Sequence, residues 1–135
     1  MKRPNPPVLV AACVGMILTA LPVLAHHSFA AEYDSDKPVQ ITGTVTKVEW
    51  TNPHVHFYVD VKNNQGQVVN WNIELGPPLI LRHLGWRQDS LKTGDQVTVE
   101  GYLAKDQSNL ANAKKVTLAD GRSVFAGSSA EKRDE

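Results

Sequence analysis

Four of the five histidines in this 135-residue chain fall into two pairs. One pair sits in the stretch Trp50-Thr-Asn-Pro-His-Val-His-Phe-Tyr58. From His54 onward that stretch alternates. His54, His56, Tyr58 and Asp60 take one side, and Val55, Phe57, Val59 and Val61 take the other. Such alternation marks a strand with one buried and one wet face. Histidines at i and i+2 therefore point the same way, with bases about 7 Å apart. That spacing suits two imidazoles ligating one metal ion. Paired surface histidines on a strand are also common without any metal, so the pair alone decides nothing.

The second pair, His26-His27, gains meaning from what precedes it. Lys2 and Arg3 form a basic start, Val8 to Leu24 is almost wholly apolar, and Val23-Leu24-Ala25 ends in small residues. This is the pattern of a secretory signal peptide covering residues 1–25, which places the protein in the periplasm or outside the cell. The apolar run is about long enough to remain as a membrane anchor. Val10-Ala11-Ala12-Cys13 also looks like a lipoprotein box, although the apolar stretch ahead of it is short. Cleavage after Ala25 would make His26 the first residue. Its free α-amino nitrogen and its ring nitrogen can then chelate one ion. With an imidazole from His54 or His56, that is the ligand set of a histidine brace, a similarity of ligands and not of fold. Nitrogen-rich donors favour Cu(II). An amine titrating near pH 7.7–8.0 can release its proton to a metal at neutral pH. His27 is the reserve ligand, since neighbouring residues in an extended chain point opposite ways. The geometry requires the segment from His26 to Tyr33 to fold back over the His54 strand, with Phe29 and Tyr33 as its anchors.

Further polar residues share the His54 face or oppose it. Val68 to Leu75 reads as the return strand of a hairpin turning at Asn63-Asn-Gln-Gly66. Like faces must coincide, so the pairing can shift only by an even number; a five-residue loop then pairs Asp60 with Asn70, Tyr58 with Asn72 and His56 with Glu74, and a shift by two is the alternative. Glu74 can then orient an imidazole by accepting its second N–H, as carboxylates behind metal ligands do; the plain alternative is an exposed strand carboxylate. Tyr58 and Asn72 read as a polar groove face, and Trp50 as core edge or stacking surface. Phe57, Val59, Trp71, Ile73 and Leu75 are expected to be buried together. His83 reads as a surface residue. No nucleophile elbow, phosphate loop, cysteine–metal spacing or serine–histidine–acid motif is present. The chain therefore does not read as an enzyme, copper redox chemistry excepted.

The elements that must position these groups are mostly strands. Val39 to Trp50 forms a long strand whose apolar parity slips near Lys47, the sign of a bulge. Gly43 in its middle fits a sharp bend. Gly76 to Gly85 reads as one short helix, with prolines in its first turn and glycine after its end. Leu91 to Leu103 is a turn and a strand, Lys105 to Asn112 a polar loop, and Ala113 to Ala119 a last strand. Residues 126–135 read as a disordered tail. Three strands, a short helix and two strands is the order of a five-stranded OB-like barrel spanning residues 39–125, preceded by an N-terminal segment over 26–38. An open antiparallel sheet with one helix is the alternative.

Several motifs together carry a resemblance. They are His26-His-Ser-Phe29 with Glu32-Tyr33, Gly43-Thr-Val45, Trp50-x-Asn-Pro-His54, Trp71-x-x-Glu74, Leu84-Gly-Trp86 and Gly94-Asp-x-Val97. In these the chain resembles a family of small exported bacterial proteins, catalogued as a domain of unknown function of the 6152 type. The resemblance covers nearly all of the chain after residue 25. It implies an exported OB-like domain and brings no activity, ligand or catalytic residue.

Two functions fit. One is an exported protein that binds copper through His26 and the His54-x-His56 strand. The other is a metal-free binding module for a small molecule, peptide or envelope partner. Acidic and basic residues balance at 14 each, and loss of Lys2 and Arg3 would tip the chain slightly acidic. Neither nucleic acid nor stable membrane insertion after cleavage is expected on that charge.

Overall fold

The computed structural model describes residues 29–127. The expected leader, His26 and His27, and the tail beyond Gly127 lie outside the described residues. A helical turn over 29–32 leads directly into β1, Tyr33–Glu49. Then follow β2, His56–Lys62, and β3, Val68–Glu74. The helix α1, Pro78–His83, separates β3 from β4, Gln96–Ala104. β5, Leu110–Leu118, and β6, Ser123–Phe125, complete the order.

β1 makes the barrel close. Its first part pairs with β4, from Pro38 opposite Tyr102 to Thr44 opposite Gln96. Its second part pairs with β2, from Thr44 opposite Asp60 to Glu49 opposite His56. One strand thus hands over from one neighbour to the other at Gly43 and Thr44. The crossing is close: a Cβ added at Gly43 would lie 2.2 Å from the Asp60 carbonyl oxygen. Only glycine permits that approach. The expected slip of parity is a bulge between Val45 and Lys47, which brings Val45 and Val48 onto Val59 and Phe57. The ring is completed by a short parallel pairing of β3 with β5, Asn72 to Glu74 against Leu110 to Asn112. The circuit β1–β2–β3–β5–β4–β1 is that of an OB-like barrel. β6 is an addition outside the ring, paired with β5.

The interior is the set that alternation selects: Val45, Phe57, Val59, Ile73, Leu75, Val99 and Val116 are fully buried. Each such side chain contributes about 1.5–3 kcal/mol on leaving water. α1 plugs one end with Leu81, and Gly85, at φ +95°, ends it. Trp86 follows, buried, donating its indole N–H to the Phe125 carbonyl at 2.9 Å.

Five expectations are corrected. β2 begins at His56, so His54 lies just before the strand and not within it. β1 begins at Tyr33, six residues before the alternation becomes visible at Val39. The expected loop over 105–112 is shorter, because β5 begins at Leu110. Trp71 lies on the core side but is only partly buried. The β3–β5 pairing starts one residue after it, so no strand flanks its outer edge. Ala126 belongs to the fold and not to a disordered tail: it is buried, accepts from the Gly76 N–H at 2.7 Å and donates to the Lys114 carbonyl at 2.9 Å.

Candidate functional site

The β2–β3 register is the expected one, with Asp60 opposite Asn70, Tyr58 opposite Asn72 and His56 opposite Glu74. On the adjoining strands Glu49 stands beside His56, and Asn112 beside Glu74. A polar row therefore crosses the outside of the barrel: Glu49, His56, Glu74, Asn112. Cross-strand neighbours share a face.

Glu74 is the centre of this row, and it is buried, 9% exposed. A strand residue on the outer face is buried only if something covers it. The cover is the N-terminal segment. The Tyr33 ring is 2% exposed and its hydroxyl donates to Glu74 Oε2 at 2.6 Å. Phe29 stacks on Tyr33 with centroids 5.5 Å apart and meets Tyr102 edge-on at 5.9 Å. The Lys105 N–H donates to the Glu32 carbonyl at 2.9 Å, and Lys105 Nζ bonds the Ala30 carbonyl. Residues 29–33 therefore fold back over Glu74 of β3 and Tyr102 of β4, with Tyr33 and Phe29 as the anchoring rings.

Both histidines are oriented through Nδ1. His54 Nδ1 lies 3.1 Å from Glu74 Oε1, and His56 Nδ1 lies 2.8 Å from Asn72 Oδ1. A carboxylate or amide oxygen can only accept, so each Nδ1 carries the proton and donates. Each Nε2, which carries the lone pair when the ring is neutral, has no hydrogen-bond partner among the described residues. Asn112 Nδ2 reaches Glu74 Oε1 at 3.5 Å. Glu32 lies within electrostatic reach of the site. Partial burial raises its carboxyl above the ordinary range, the Glu74 charge adds to that, and His56 and His54 act against it. Burial, then the bond to Glu74, push the Tyr33 hydroxyl far above the usual tyrosine range.

Sequence reasoning placed His54, His56, Asn72 and Glu74 together, and the structure does so. Tyr58 is on the same face but is tied elsewhere, donating to Glu49 Oε2 at 3.1 Å with Lys47 over its ring. Trp50 is apart from the histidines, in an apolar slot with Val48, Val55, Leu75, Trp86 and Leu91. Its buried indole N–H has no partner among the described residues. Glu49, Glu32 and Asn112 were missed as site residues. The Glu32-Tyr33 motif was the one available signal for Glu32; Asn112 had none, because it fell in an expected loop. Among the described residues no group of three His, Cys, Asp or Glu side chains is arranged to hold a metal ion. His54 and His56 supply two imidazoles, and the further ligands expected from His26 or His27 lie outside the described residues.

Fold and site together define a small OB-like barrel with a histidine-bearing polar row under an N-terminal strap. The chain belongs to the family of unknown function DUF6152, whose model matches residues 14–113. No curated protein matches it in sequence. Among solved structures it is similar to the mitochondrial single-stranded DNA binding protein Rim1 from S. cerevisiae. One crystal form matches at 16% identity and TM-score 0.48, over 62% of this chain and 93% of that one. A second matches at 19% identity and TM-score 0.47, over 62% and 92%. The expectation that set nucleic acid aside as a partner is withdrawn, since the structures found are those of single-stranded DNA binding proteins. At these identities and scores the likeness assigns no partner to this chain.

Proposed function

We propose that the protein is exported, cleaved after Ala25, and binds Cu(II) through the α-amino and ring nitrogens of His26 with Nε2 of His54 or His56. The observation that carries this reading is the common presentation of the two imidazoles. Both have Nδ1 engaged, one by a buried carboxylate and one by an amide oxygen, and both leave Nε2 for a ligand. Fixing the tautomer through the other nitrogen is how outer groups prepare histidines for metals. The strap supports the reading by reach. Phe29 is packed on Tyr33, and three further residues to His26 span at most about 10 Å when extended. Amine and imidazole nitrogens suit Cu(II). Acidification weakens such a site, because protons compete for the same nitrogens.

The test is a copper titration of three proteins: the processed chain, the same chain with one residue added before His26, and the His54→Ala/His56→Ala double variant. Sequencing of the processed N-terminus accompanies it. Both altered proteins are expected to bind at least about tenfold more weakly, the scale on which lost site interactions act. Equal binding by all three refutes the copper reading and leaves the histidine row as a recognition surface without metal.

A further inference from the structure

The end of the barrel sealed by α1 carries a face unlike the rest of the surface. Leu79 is 61% exposed, Phe125 58%, Ile80 44% and Leu84 43%. The fold sets α1 beside the end of β6. The Trp86 indole bonds the Phe125 carbonyl, and a Cβ added at Gly127 would lie 3.1 Å from Ile80 and 3.5 Å from Leu84. Ala126 is buried, so Phe125, its neighbour in an extended segment, faces away from the core. α1 is amphipathic in an unusual sense. Pro78 and Leu81 seal the barrel, while Leu79 and Ile80 stand in water where a surface helix ordinarily carries polar groups.

The charges along α1 and the turn after it have one dominant sign. Arg82 and His83 occupy the last turn of α1, and Arg87 follows; all three are exposed. No described ion pair neutralises either arginine. Between Gly76 and Leu91 only Asp89 is acidic. Apolar side chains flanked by unpaired cations complement a surface that is apolar inside and negative outside. We propose that the α1–β6 face docks on an anionic lipid surface, with Leu79, Ile80, Leu84 and Phe125 entering the headgroup boundary and Arg82 and Arg87 meeting the phosphates. Such association is peripheral and combines buried apolar area with attraction to anionic headgroups. It does not rest on the copper reading, because none of Leu79, Ile80, Leu84, Phe125, Arg82 and Arg87 belongs to the histidine row.

The experiment is co-sedimentation of the chain, as its cell processes it, with vesicles of phosphatidylcholine alone and with phosphatidylglycerol added. Binding should require phosphatidylglycerol and decline as salt is raised. The Arg82→Gln/Arg87→Gln variant should bind anionic vesicles about fivefold more weakly per cation removed. The Leu79→Ser/Phe125→Ser variant should bind about tenfold or more weakly, from the apolar area withdrawn. Both pairs are exposed, so unchanged thermal melting will show that the fold is kept. Absence of vesicle binding, or binding that neither variant changes, overturns the proposal. So does a chain that self-associates, is made monomeric by Leu79→Ser/Phe125→Ser and ignores vesicles, since the face would then belong to a second copy.

Discussion

Replacing Tyr33 by phenylalanine removes one oxygen atom and leaves the ring. The ring is buried and stacked on Phe29, so apolar packing is nearly unchanged. What goes is the 2.6 Å bond to Glu74 Oε2. A hydrogen bond to a charged group contributes about 1.5–3 kcal/mol. Glu74 keeps the His54 contact at 3.1 Å and the long Asn112 contact at 3.5 Å, so its other oxygen is still served. The expected loss at neutral pH is therefore about 2 kcal/mol, which in a domain of this size lowers the melting temperature by about 8–16 °C. The pH dependence supplies an independent check. Burial first, and then the bond to Glu74, raise the Tyr33 hydroxyl above its ordinary value. A group raised on folding gives stability that is complete below its unfolded pKa of about 10 and is lost as pH rises beyond it. Wild type should lose up to about 1.4 kcal/mol per pH unit above that point through Tyr33. Tyr33→Phe cannot lose it, so the stability gap between the two proteins should close with rising pH. Urea unfolding from neutral to alkaline pH measures this, and the other tyrosines and lysines cancel in the difference. A gap below about 0.5 kcal/mol at neutral pH, within ordinary surface variation, or a gap that stays constant into alkali, refutes the assigned role of the Tyr33–Glu74 pair.

Three other outcomes are expected. Gly43→Ala should destabilise by at least about 1–3 kcal/mol, since the new Cβ would meet Asp60 O at 2.2 Å and Val59 Cγ1 at 2.8 Å; denaturant midpoints check it, and a neutral result would mean the β1–β2 crossing opens freely. Trp71→Ala should cost about 2 kcal/mol, below the roughly 3–5 kcal/mol of an enclosed ring, because only part of the indole is covered. Glu74→Gln keeps the shape but removes the charge that holds His54. At the proposed copper site affinity should fall about 10–100-fold with the fold retained, and an unchanged titration would deny Glu74 any part in preparing the imidazole.

The amino-acid order alone determined what depends on neighbours in sequence. Alternation from His54 to Val61 and from Val69 to Leu75 limits the β2–β3 register to even shifts, since any odd shift would turn Phe57 and Ile73 into water; the structure takes the register of a five-residue turn and not the one shifted by two. The slip of parity after Val45 marks the bulge, and Gly43 marks the bend. These local signals favour the barrel order over an open sheet and place His56, Asn72 and Glu74 on one face with His54 just ahead of it; closure of the ring rests on the β3–β5 pairing. Tertiary structure decided the rest, because contacts between distant segments leave no periodic trace. Glu74 has the same alternation whether it is exposed or covered; it is covered because Tyr33, 41 residues earlier, lies over it. Asn112 joins the row only because β5 runs parallel to β3 for three residues, which extends that strand back into what reads locally as a polar loop. Trp71 loses full burial for the same reason, standing one residue outside that pairing. β1 reaches back to Tyr33 through Asp34-Ser-Asp-Lys-Pro38, a run of turn-forming residues, because β4 and the ring contacts of Phe29, Tyr33 and Tyr102 hold it there. Local propensity gives way when the packing of three aromatic rings, Tyr33 among them fully buried, favours the extended chain.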